Sequence, residues 1–104
     1  MIMMVYTRKF ATTEEAELFQ GLCTMKWPAL LDAIGGARFR SFLNEKEPST
    51  HVVIWEFSDE KVQHKVEQVI QKVISKYSQQ LSPKVMSVSG KVAFEHGETV
   101  EIDD

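Results

Sequence analysis

Apolar positions along this chain keep two rhythms, period two and period 3.6, and the switches between them mark its elements. "MIMMVYTRKF" at the start is rich in strand-favouring residues and predicts a first strand. "ATTEEAELF" then opens a helix: Thr12 and Glu15 have capping-box spacing, and Glu14, Glu15 and Glu17 suit the positive end of a helix dipole. Phe19, Leu22, Cys23 and Leu30 follow helical spacing, with Lys26 as a polar interruption. Pro28 lacks an N–H and clashes with the carbonyl four residues back. It predicts a helix ending near Met25, then a short turn "PALLDAI" stopped by Gly35 and Gly36.

"ARFRSFL" alternates, with Arg38, Arg40 and Phe42 on one side and Phe39, Ser41 and Leu43 on the other. After the polar connector "NEKEPST", the run "HVVIWEF" predicts the partner strand of an antiparallel hairpin. "SDEKVQ" reads as a helix start capped by Ser58. Val62, Val66, Val69, Ile70, Val73, Ile74, Tyr77 and Leu81 then predict one apolar stripe over about five helical turns. Valine is a poor helix former, so packing must hold this helix. Ser82 and Pro83 end it, "KVMSVSGKVAF" is the last long strand, and "EHGETVEIDD" is an acidic end with room for a short strand at "ETVEI".

The order β-α-β-β-α-β is that of the split βαβ, or ferredoxin-like, α+β arrangement: a four-stranded antiparallel sheet with two helices on one face. The whole of 1–104 reads as one domain, with an acidic tail from about residue 96. Helices cover only one face of such a sheet, yet several strands are apolar on both. Val53, Trp55 and Phe57 share one side of their strand and Val52 and Ile54 the other; Ile2, Met4 and Tyr6 alternate with Met3 and Val5. The second face is therefore expected to be buried against another copy, sheet to sheet, in a two-fold homodimer.

Composition removes several function classes. The net charge is −3, and Arg8, Arg38 and Arg40 are the only arginines, with lysines scattered; no basic cluster suggests nucleic acid as a partner. Cys23 is the single cysteine, which rules out an intrachain disulfide. "MIMMVY" is too short and lacks the flanks of a secretory signal, and no apolar run is long enough to span a bilayer. The expectation is a reducing, cytoplasmic setting without membrane attachment. Neither a dinucleotide or phosphate-binding glycine motif, a nucleophile elbow nor a His/Cys cluster at metal spacing occurs, so no cofactor or metal is expected.

The element order, "WPALLDAIGGARFRSFL" and "HVVIWEFSDEKV" together resemble the dimeric α+β barrel families, in particular the antibiotic-biosynthesis-monooxygenase-like group. The resemblance covers about residues 1 to 95. It implies a mostly apolar cavity between sheet and helices and, in some members, cofactor-independent oxygenation of polycyclic phenols or haem degradation. Haem-degrading members carry an Asn late in strand one, a Trp late in strand three and a His on helix two. Here Asn44 is the only Asn and lies in a connector, Tyr6 stands nearest the Asn place, and Phe57 rather than Trp55 aligns with the Trp. His64 falls earlier in its helix than the family ligand.

Tyr6 is the first candidate for a polar group in such a cavity, since a buried phenol needs a partner. His64 shares a helical face with Glu60 and Glu67, suited to acid–base work, although Gln68 and Gln71 continue that face as a solvated surface would. Trp55 and Phe57 are candidate substrate contacts, against the plainer reading of strand-spaced aromatics as core. Arg40, with Arg38, could hold an anionic substrate group or, by the simpler reading, a carboxylate across the dimer. Two functions remain: a monooxygenase-like enzyme acting on a small aromatic molecule, or a dimeric module that binds without chemistry.

Overall fold

The computed structural model describes residues 1–81 and 83–100. Strand β1 (Ile2–Lys9) leads into helix α1 (Thr13–Ile34), followed by β2 (Ala37–Leu43) and β3 (Thr50–Phe57). Helix α2 (Glu60–Val69) passes into a π-helical turn (Ile70–Ile74), a short α3 (Ser75–Ser78), a 3-10 turn (Gln79–Leu81) and β4 (Lys84–Lys91). The sheet order is β2-β3-β1-β4, antiparallel throughout. This is the ferredoxin-like arrangement expected from the sequence.

Helix α1 departs from expectation, because it runs unbroken through Pro28 to Ile34. Its buried residues Ala16, Phe19, Cys23 and Trp27 form one stripe, while Pro28 and Thr24, whose carbonyl loses its donor, are both exposed. Water can satisfy that carbonyl, and Trp27 packed against Trp55 at 4.7 Å between ring centroids holds the helix across the break. Thr12 Oγ accepts from the Glu15 N–H at 3.2 Å, while the Glu15 carboxylate accepts from Ala11 N–H, one residue before the expected reciprocal donor. Gly35 and Gly36 both hold φ of 74°, a left-handed turn that favours glycine.

The second helix start is also shifted. Asp59, not Ser58, is the cap: its carboxylate accepts from Val62 N–H at 3.0 Å. The expected single helix is divided by the π turn. Val66, Ile70, Ile74 and Ser78 are buried at strict four-residue spacing. In a straight α-helix such a row drifts about 40° per step. A π turn takes up one extra residue and turns the row back toward the sheet. Ser82 lies outside the described residues, as do residues 101–104, and Glu98–Val100 form no strand.

The core lies between helices and sheet. Trp55, Phe57, Phe39 and Trp27 form one aromatic cluster, with Trp55 and Phe57 each 1% exposed. On the opposite, uncovered face stand Met3, Val5, Phe42, Val52, Ile54, Met86 and Val88, of which Phe42, Met86 and Val88 are at least half exposed.

Candidate functional site

Beside the π turn, a cavity of about 280 Å³ opens between α2 and the β1–β4 pair. Met4, Tyr6, Ser87 and Ser89 form its sheet wall, and Glu67, Ile70 and Gln71 its helix wall. The placement follows from local structure. Met4 pairs with Ser89 and Tyr6 with Ser87, so all four side chains rise on the helix-facing side. The π turn begins at Ile70, and such turns concentrate at functional positions because they break the regular hydrogen-bond ladder. A phenol, a carboxylate, an amide and two hydroxyls thus converge on one small space. The expected mostly apolar lining is corrected: Met4 and Ile70 are its only apolar members. β4 supplies short serines rather than the Val or Leu that would fill the gap.

Behind Tyr6 lies a buried polar group. Arg8 is 4% exposed, and its guanidinium sits 4.2 Å from the Tyr6 ring centroid and 4.7 Å from that of Phe19. Among the described residues no carboxylate lies within ion-pair distance of it. His51, opposite Arg8 on β3, is fully buried, and its Nε2 lies 2.5 Å from Gln20 Oε1, which also accepts from Ser41 Oγ. An amide oxygen only accepts, so Nε2 carries the proton and Nδ1 is a lone pair, without a partner among the described residues. Burial first, and Arg8 second, lower the His51 pKa to about 4. Burial raises the Cys23 thiol to about 11, which keeps it un-ionised.

The residues singled out from sequence are scattered. Tyr6 lines the cavity. His64 is exposed and its ring nitrogen lies 3.1 Å from the Gln68 amide, while Glu60 reaches Lys91 at 4.0 Å and Glu67 turns to the cavity, so the three do not form one site. Trp55 is enclosed in the aromatic core, and Phe57 borders a shallow open hollow by Ala37 and Ser58. Arg40 is on the uncovered face, where Glu56 accepts from it at 2.9 Å and from Arg38 twice at 3.1 Å. Within the single chain the two arginines thus share one carboxylate, from the neighbouring strand. Sequence reasoning missed Glu67 as a separate group, the Ser87/Ser89 pair and the Arg8–His51 pair, for which the sequence pattern carries no distinguishing signal. Among the described residues no group of three potential ligands could hold a metal, and no helix is long and apolar enough to cross a membrane.

No protein-family model matches the chain, and no curated protein does. Solved structures match over nearly their full lengths. A dimeric ferredoxin-like protein from an uncultured marine organism superposes with a TM-score of 0.75 at 18% identity, covering 94% of this chain and 100% of its own. The chain has the ferredoxin-like fold of these proteins. A second dimeric ferredoxin-like protein of marine origin gives 0.74 at 17% identity over 91% and 97% of the two chains. SnoaB, a cofactor-independent oxygenase from Streptomyces nogalater, gives 0.66 at 12% identity over 93% and 97%. At such identities the likeness carries architecture, and function rests on the site.

Proposed function

We propose that this chain is a homodimeric, monooxygenase-like enzyme whose site is the Tyr6–Glu67 cavity. Its substrate class is a small hydroxylated aromatic. The observation that carries the reading is the convergence of Tyr6, Glu67, Gln71, Ser87 and Ser89 on one cavity beside the π turn. Phenolic hydroxyls of a substrate find donors and acceptors there, and Met4 and Ile70 supply apolar contact for a ring. Glu67 is the base that removes an acidic proton, while Tyr6 and the serines orient the resulting anion. The anion itself supplies the electrons: the phenol C–OH and the ring C–H para to it react with O₂ to give the two C=O groups of a quinone and water, one oxygen atom being retained at the ring.

The dimer forms through the uncovered sheet face. Met3, Val5, Phe42, Val52, Ile54, Met86 and Val88 lie together on that face, and a contiguous apolar patch of this kind marks an interaction surface.

One observation favours the second reading, a binding module without chemistry: the interior around Trp55 is filled by aromatic side chains and His64 is turned to solvent. An oxygen-electrode assay with a panel of polycyclic phenols separates the two. Enzyme-dependent oxygen uptake that falls at least tenfold in E67Q supports the enzyme. Tight binding without uptake leaves the module, and neither binding nor uptake removes the site.

A further inference from the structure

Of the three arginines, the two exposed ones are paired and the buried one is not. Arg38 and Arg40 stand largely in solvent and share the carboxylate of Glu56. Arg8 is 4% exposed, and no described carboxylate lies within ion-pair distance of it. Buried charges ordinarily have a counter-ion. The ring faces of Tyr6 and Phe19 attract this guanidinium but carry no net charge, so its positive charge stays uncancelled.

That charge lies one side chain away from the cavity. Arg8 and Tyr6 are two residues apart on β1 and share its helix-facing side, with the guanidinium carbon 4.2 Å from the Tyr6 ring centroid. Tyr6 is itself part of the cavity wall. On the opposite wall stands Glu67, also without an ion-pair partner among the described residues. The two charges are not equal in effect. Glu67 is half-buried and water screens it, whereas Arg8 is closed off from water and its field is weakened far less. The other titratable groups around Arg8 are silent near neutral pH. His51 on β3, pushed down to about 4, and Cys23 on α1, pushed up to about 11, both stay uncharged there. A ligand in the cavity therefore meets a net positive field.

We propose that Arg8 is a specificity-determining residue, acting across the Tyr6 ring so that the cavity favours acidic phenols held as phenolate anions. This inference rests on the Tyr6–Glu67 cavity being the binding site. It narrows the ligand class from hydroxylated aromatics in general to those that ionise on binding. At a separation of about 10 Å and an effective dielectric of about 20, one such charge changes an ionisation constant about tenfold. Glu67 acts in the opposite sense, so without Arg8 the cavity should prefer the neutral phenol.

The test is calorimetric titration of the full chain with 4-nitrophenol, a binding probe, at pH 5.5 and 8.5, below and above the ionisation of the free phenol. Wild type should bind the anion several-fold more tightly than the neutral form. In R8M that preference should fall about tenfold and reverse, with affinity for the neutral form unchanged. An unchanged preference, or both forms weakened alike, overturns the role of Arg8 and leaves the cavity standing. Should R8M not fold, wild type decides alone: tighter binding of the neutral phenol overturns the proposal. S89F fills the cavity and should abolish binding at both pH values. Binding that survives it, or no saturable binding in wild type, overturns the cavity and this inference together.

Discussion

The guanidinium of Arg8 lies 4.2 Å above the ring of Tyr6, which ties a buried cation to the wall of the cavity. Two aromatic faces, Tyr6 and Phe19, take the place of a carboxylate. Desolvating a charge costs several kcal/mol, and cation–π contacts in a dry site return about 2 kcal/mol each. These terms nearly cancel, so R8M should change unfolding free energy by less than about 1.5 kcal/mol in denaturant titration. A loss beyond 3 kcal/mol would show that the cation has a stronger partner than the two rings.

His51 predicts an acid-sensitive fold. Its folded pKa of about 4 lies below the ordinary 6.5, so above pH 6.5 both states are neutral and its contribution is constant. As pH falls from about 6.5 to 4 the unfolded chain takes up a proton that the native chain refuses. Stability should fall by about 3 kcal/mol over that window, from 1.36 kcal/mol per pKa unit. Urea titrations of wild type and H51Q at pH 7.5 and 4.5 measure it. Equal pH slopes in the two proteins would contradict this account of His51.

Cys23 should be inert in the native state. A buried thiol held near pKa 11 presents almost no thiolate at pH 8, so a disulfide exchange reagent should react only as fast as the chain opens. Prompt, stoichiometric labelling of folded protein would show that α1 is not packed as described.

V88E on the uncovered face should dissociate the proposed dimer. Val88 is 68% exposed in the single chain and packs on little there, so folding should persist while the dimer constant weakens by two orders of magnitude or more. Sedimentation of V88E as an intact dimer would place the interface elsewhere.

Much of the architecture was legible in sequence because period-two and period-3.6 patterns report which side of an element is buried. The two faces of β3 followed from the alternation of Val53, Trp55 and Phe57 with Val52 and Ile54. Pro28 misled because the cost of a proline depends on which way its helix face points, and exposure of Thr24 and Pro28 appears only once α1 packs. The π turn was hidden for a related reason: an apolar stripe does not say how the backbone winds to keep it facing the sheet. Within the site, Tyr6 could be singled out as a phenol in an otherwise apolar run. Glu67, Ser87 and Ser89 could not, because polar residues on a helix or edge strand look the same whether they face water or a cavity. Arg8 and His51 stand near the ends of their strands, and the β1–β3 register sets them opposite each other.

Amide NMR during titration with a small hydroxylated aromatic tests the central claim most directly. The account predicts saturable shifts confined to Met4, Tyr6, Glu67, Ile70, Gln71, Ser87 and Ser89, with affinity reduced about five- to tenfold in Y6F, about 1 kcal/mol. Shifts centred on the uncovered sheet face, or none in the presence of saturating phenols, would contradict it.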